Sequence, residues 1–94
     1  MVVAKLLLKT LEDLGSADLA TFQWYLSEGV LDGCERIPKS KLENATRAVT
    51  VDRMIAAYCE EKAVRVTMAI LRNMSNNNAA DELKKKYAGA VDVS

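Results

Sequence analysis

Apolar residues recur every three to four positions along nearly the whole of this chain, and the residues that interrupt the rhythm are those that start and stop helices. Leu7, Leu11 and Leu14 mark one face of a first helix over about residues 3–14, ended by Gly15. Ser16 is placed to N-cap a second, with Asp18 in its first turn, where a negative charge suits the helix dipole. Leu19, Phe22 and Leu26 supply the buried stripe of that helix and Gly29 stops it. Residues 29–38, with Gly33 and the sole proline, Pro38, read as a long loop.

Ser40, Lys41, Leu42 and Glu43 form a capping-box pattern that seeds a short third helix. Thr50 is the next expected cap, and Val51, Met54, Ile55 and Tyr58 repeat at helical spacing to about Glu60. Ala63, Val66, Thr67, Ile70, Leu71 and Met74 make a fifth helix, the most apolar of the set. Asn76, Asn77 and Asn78 suit a left-handed C-cap followed by a new N-cap, because Asn tolerates that backbone region. Ala80, Leu83 and Tyr87 give a short sixth helix, with Lys84, Lys85 and Lys86 at its C-terminal end, the favourable end for cations. The expected fold is all-α: a six-helix antiparallel bundle with a short third helix and a long helix 2 to helix 3 loop. Residues 1–88 form the domain, and residues 89–94, which lack a period, form a disordered tail or truncated linker. Leu7, Leu11, Leu14, Phe22, Leu26, Ile55, Ile70 and Leu71 are expected to hold the core.

A chain of 94 residues makes one small domain with one core and little room for a deep cleft beside it. Thirteen bases and thirteen acids cancel, which removes the long-range attraction to nucleic acid or anionic lipid that a basic domain would have. No His is present, and Cys34 and Cys59 have no CxxC spacing, so the ligands of common zinc sites are missing and reduced thiols in a cytoplasmic protein are expected. Adjacent carboxylates such as Glu60 and Glu61 diverge by about 100° on a helix and do not converge on a substrate. There is no P-loop and no dinucleotide glycine pattern. The apolar run of residues 1–8 is too short to span a membrane and merges into helical periodicity. The expectation is a non-enzyme with no cofactor, no metal, no nucleic acid and no membrane among its partners.

What stands out is charge order. Residues 10–35 carry six carboxylates (Glu12, Asp13, Asp18, Glu28, Asp32 and Glu35) and no base, whereas residues 36–53 carry Arg36, Lys39, Lys41, Arg47 and Arg53 against Glu43 and Asp52. Such polarity suits docking onto something complementary. Trp24 adds to it. At 100° per residue it lies about 200° from Phe22, so it points away from the buried stripe. Two readings stay open: a cover over neighbouring side chains, or an interface anchor of the kind Trp often supplies.

The run LLKTLEDLGSADLATFQWYL, the triplet Arg36, Ile37, Pro38, the segment VDRMIAAYCEE and the stretch AVRVTMAILRNMSNNNAADEL together resemble a pyrin domain of the death-fold superfamily, over residues 6–87. The resemblance implies a bundle of death-fold type and a cytoplasmic module with no chemistry of its own. Such a module associates with other pyrin domains, those of an inflammasome adaptor and copies of itself, and nucleates filaments in innate immune and inflammatory signalling. It implies a monomer at low concentration and filaments as the assembled form. Glu12 and Asp13 stand in the family's acidic positions on helix 1, and Lys39 stands in a basic one. Helix 2, usually lysine-bearing in the family, has Ala20, Thr21 and Gln23 here, and Thr46 and Arg47 stand where the fourth helix is usually acidic. The expected interaction residues are Glu12, Asp13 and Trp24 on one side and Arg36, Lys39, Lys41 and Arg53 on the other. The resemblance implies the N-terminal domain of an NLR-type sensor or an adaptor. Alternatives are a pyrin-only decoy that caps assemblies, a pyrin prodomain of an inflammatory caspase, and a fusion to a DNA-sensing domain.

Missing helix 2 bases shift the expected partner toward a related domain with a lysine-rich helix 2. Reversing Glu12 and Asp13 to Lys should weaken co-assembly with such a domain in a scattering or pull-down assay. Unchanged co-assembly would sink the assignment of these two carboxylates.

Overall fold

The computed structural model describes residues 2–29 and 36–91. Among them are five helices: α1 (Val2–Glu12), α2 (Ser16–Glu28), α3 (Lys39–Leu42), α4 (Arg47–Asn73) and α5 (Asn77–Val91). Helix α4 is the spine. α1, α2, α3 and α5 all pack against it, and α1 also packs on α5 and α3 on α2. Leu7, Leu11, Leu14, Phe22, Leu26, Ile70 and Leu71 are buried, together with Val51, Met54, Val64 and Leu83, while Ile55 and Leu19 are half-buried at the margin of this core.

The helix count is five where the sequence pattern suggests six. The expected fourth and fifth helices run together as α4, two helical segments that meet at a kink at Cys59, one residue from the expected boundary at Glu60. Cys59 has φ 67 and ψ 173 inside α4, a region almost reserved for glycine. Thr67 donates its hydroxyl to the carbonyl of Ala63 at 2.8 Å on its own side of the kink, and the same hydroxyl lies 3.7 Å from Met54 Sδ on the other.

Helix ends differ from expectation in an instructive way. Gly15, not Ser16, is the N-cap of α2, with extended backbone and no side-chain cap, and its carbonyl accepts from Leu19 N at 2.9 Å. Pro38 precedes α3, which therefore begins at Lys39, and Ser40 sits inside the helix instead of capping it. Proline's restricted φ suits a helix entrance, which removes the need for a hydroxyl there. Thr46, one turn before Thr50, caps α4 by accepting from Val49 N at 3.2 Å. Thr50 is instead buried inside the helix and donates to Thr46 O at 2.8 Å.

At the other end of α4, Ser75 and not an asparagine takes the left-handed conformation (φ 63). Ser75 N donates to Arg72 O and Asn76 N to Leu71 O, the paired bonds of a Schellman motif. The carbonyl of Asn76 then accepts from Ala80 N. Helix α5 passes Tyr87 and reaches Val91, so Lys84, Lys85 and Lys86 lie in mid-helix and not at a terminus where they would offset the dipole. Gly29 ends α2 with φ 87, its N–H bonded to Tyr25 O. Asp32, Gly33, Cys34 and Glu35 of the expected long loop lie outside the described residues.

Two long-range ties fix the start of α4. Arg47 donates from Nε to Leu11 O at 2.8 Å and from Nη2 to Leu14 O at 2.7 Å, satisfying carbonyls at the C-terminal end of α1. Gln23 Nε2 donates to Ala45 O at 3.2 Å and to Thr50 Oγ1 at 3.0 Å, tying α2 to the same turn. Charge-assisted hydrogen bonds of the Arg47 type contribute about 1.5–3 kcal/mol. Arg47→Met should therefore lower unfolding stability by about 2 kcal/mol in urea denaturation, and a loss below about 0.5 kcal/mol would show that water replaces the guanidinium at no cost.

Candidate interaction surfaces

The described residues offer no chemical centre. No three His, Cys, Asp or Glu side chains among them gather as a metal site, and Cys59 is exposed. None of the described helices is long and apolar enough to cross a membrane. What the surface does offer is two depressions on different elements.

The larger, about 590 Å³, lies between α2 and α3 and is lined by Ala20, Gln23, Trp24, Lys39, Leu42 and Glu43, among others. Trp24 is 49% exposed, an unusual state for the largest apolar side chain in a small domain. Its ring meets that of Tyr25 edge to face, with centroids 5.0 Å apart. This contact holds one ring edge while leaving surface open to the groove. The smaller depression, about 120 Å³, lies between α1 and α4 and is lined by Ala4, Lys5, Leu8, Ala48, Val51 and Asp52.

The expected interaction residues distribute over these features unevenly. Trp24 and Lys39 line the same groove, although the charge order along the chain assigned them to opposite sides. Lys41 and Arg53 are exposed on α3 and α4 without lining either depression. Arg36 packs against the end of α2, where a Cβ at Gly29 would come within 3.3 Å of its Cγ. Glu12 ends α1 and Asp13 follows it, both exposed, at the helix end where a carboxylate opposes the dipole. Such placement does not stabilise α1; Lys9 in the same last turn and Arg47 on the terminal carbonyls offset it. Among the described residues none of Glu12, Asp13, Lys39, Lys41 or Arg53 makes an ion pair, while Arg65 pairs with Glu61 at 2.9 Å and Arg72 with Asp81 at 4.0 Å. The first set of charges is therefore free for a partner.

Sequence reasoning passed over Lys5, Glu43 and Asp52 as surface-site residues, and over Gln23 and Arg47 as ties. A helical wheel places Lys5 and Leu8 together, three positions apart, but only the packing of α1 on α4 brings Asp52 beside them.

A half-exposed Trp contributes less to the fold than a core aromatic. Trp24→Ala should keep the far-ultraviolet circular dichroism of the parent and lower stability by less than about 1 kcal/mol. Loss of cooperative melting would show that Trp24 covers the core and is no free anchor.

Comparison with known proteins agrees with this geometry. The family model described as PAAD/DAPIN/Pyrin domain matches residues 6–82. Caspase b of Danio rerio is 39% identical over 82 residues, which is 87% of this chain and 20% of that protein. Human pyrin domain-containing protein 1 is 32% identical over 80 residues, covering 84% of this chain and 90% of that one. In three dimensions the solution structure of the pyrin domain of human Pyrin superposes with a TM-score of 0.81 at 30% identity, over 93% of this chain and 98% of the other. The chain thus spans a fifth of the length of caspase b and nearly all of a small relative. An all-helical bundle that buries its apolar stripes on α4 and reserves its unpaired charges and its tryptophan for the surface, matched over most of its length, belongs to the pyrin-domain family of death folds.

Proposed function

We propose that this chain is a protein–protein interaction module that associates with other pyrin domains, copies of itself and an adaptor's among them, and nucleates filaments in cytoplasmic inflammasome signalling. Residues 1–88 are the associating unit. The observation that carries the reading is the separation of the two depressions: one on α2 and α3, the other on α1 and α4, with no residue or element in common. A contact that joins two different patches leaves one of each kind unused at the ends of any dimer, and repetition extends it. A rotation that does not close gives an open helical filament. Trp24 and Lys39 line the first depression, and Glu12, Asp13, Arg36, Lys41 and Arg53 are assigned to contacts on the surface outside the two depressions.

Two features support variants of the same reading. The similarity to human pyrin domain-containing protein 1 keeps a decoy that stops assembly as one variant. The match to caspase b favours a prodomain. Electron microscopy of the isolated domain at rising concentration, with and without an adaptor pyrin domain, separates them. Filaments from the chain alone are expected. Suppression of adaptor filaments in the mixture points to the decoy, and a monomer that neither assembles nor joins would overturn the assignment.

A further inference from the structure

Most serine and threonine hydroxyls of the described residues are engaged. Thr10, Thr21, Ser27, Thr50 and Thr67 donate to backbone carbonyls, and Thr46 caps α4. Ser16, Ser40 and Ser75 are exposed, and among the described residues their side chains make no hydrogen bond. Ser16 stands between Glu12 and Asp13 on one side and Asp18 on the other, and Ser75 is held in the left-handed turn after α4. Ser40 alone has a cation on each side. Lys39 and Lys41 are both exposed, neither makes an ion pair among the described residues, and Arg36 stands four positions before the serine. Pro38 holds the N-cap position of α3, so the Ser40 hydroxyl has no structural duty. Helix α3 is a single turn anchored by buried Leu42, with bonds from Lys41 N to Pro38 O at 2.9 Å and from Ala45 N to Leu42 O at 3.1 Å. So short a helix has little stability of its own and opens locally at small cost, which lets an enzyme take the segment in extended form.

Resting on the interaction-module reading, we propose that Ser40 is a phosphorylation site for a serine kinase that reads basic residues beside its acceptor, and that the phosphate switches off association through the α2–α3 surface. In the transfer, Ser40 Oγ bonds to the γ-phosphorus of a nucleoside triphosphate as the bond from that phosphorus to the β,γ-bridging oxygen breaks. The nucleoside diphosphate leaves with the electron pair, and the hydroxyl proton passes to a carboxylate base of the kinase. Residues 36–43 then change from three cations against one anion to near balance, since phosphoserine carries a charge of about −1.5 to −2 at neutral pH. Lys39 and Lys41 are drawn to the new phosphate oxygens and away from a partner. Ser40 also lines the groove beside Trp24. Any partner that covers the groove must then strip water from the phosphate, a cost that the apolar lining does not return. Because the hydroxyl holds nothing in the fold, the switch acts on association and leaves stability alone.

Incubation of the whole chain with magnesium, ATP and the catalytic domain of a basic-directed serine kinase tests the site, with an acid-directed kinase in parallel because Glu43 stands three positions after Ser40. Peptide mass spectrometry locates the phosphate. The basic-directed enzyme should modify Ser40, and Lys39→Gln with Lys41→Gln should slow that modification. No phosphate on Ser40, faster modification by the acid-directed enzyme, or a rate indifferent to the two lysines overturns the assignment. Light scattering of the phosphorylated chain at rising concentration, alone and mixed with another pyrin domain, tests the switch. Phosphorylation should raise the midpoint of association about tenfold, and phosphatase treatment should restore it. Ser40→Glu, with a single charge, should raise it about threefold, and Ser40→Ala should match the unmodified parent. Circular dichroism and urea denaturation should be the same for all these forms. An equal midpoint with and without phosphate overturns the switch and leaves the interaction-module reading standing. An unmodified chain that neither self-associates nor joins another pyrin domain overturns both.

Discussion

The N-terminal turn of α4 is held by one guanidinium. Arg47 sits half-buried with its donors on the carbonyls of Leu11 and Leu14, so the end of α1 and the start of α4 share a set of hydrogen bonds. The last turn of a helix leaves carbonyls without intrahelical partners, and here Arg47 joins Leu14 N as a second donor to Leu11 O and also bonds Leu14 O just beyond the helix. Because α1 packs on both α4 and α5, an error in its angle would propagate through the core formed by Leu7, Leu11, Ile70 and Leu71. Gln23 performs the same service for α2. The two ties pin α1, α2 and α4 at one corner.

Both ties change the meaning of departures visible in the sequence. An arginine where a carboxylate is usual, and a glutamine where a lysine is usual, look like a weakened charge pattern when read as surface. In the folded chain they are structural donors aimed inward. The electrostatic face that remains is made of Glu12 and Asp13 at the end of α1 and of the mixed-sign pairs around the two depressions. Linear segregation of charge did not survive folding as two opposed poles, because α3 returns Lys39 to the side of α2 that carries Trp24.

Periodicity carried most of the architecture. Leu7, Leu11, Leu14, Phe22 and Leu26 are buried because a 3.6-residue repeat leaves a helix one face to hide, and that reasoning needs no tertiary knowledge. The outward direction of Trp24 follows from the same wheel. Helix starts were less legible: Ser16, Ser40 and Thr50 each invite a cap, yet a nearby Gly15, Pro38 or Thr46 takes the position, and only Thr46 does so with its side chain. The break near Glu60 was legible only as a loss of period. The structure puts it at Cys59, where two helical segments meet at a kink that the Thr67 contact with Met54 spans. Pairing of surfaces was illegible, because Lys5 and Asp52 are 47 positions apart and meet only when α1 packs on α4.

The Gln23 bridge has a consequence for how such a domain can diverge. A lysine at this position could offer donors to Ala45 O and Thr50 Oγ1 only by bringing its charge into that half-buried corner, where it would have to be desolvated. Acquiring a basic α2 by this route is therefore epistatic with the turn that begins α4: the substitution is acceptable only after Thr50 or its surroundings no longer need a donor. Fold maintenance thus rests on this one side chain, and the charge of the α2 surface is freer to change at exposed Ala20 and Thr21 than at Gln23.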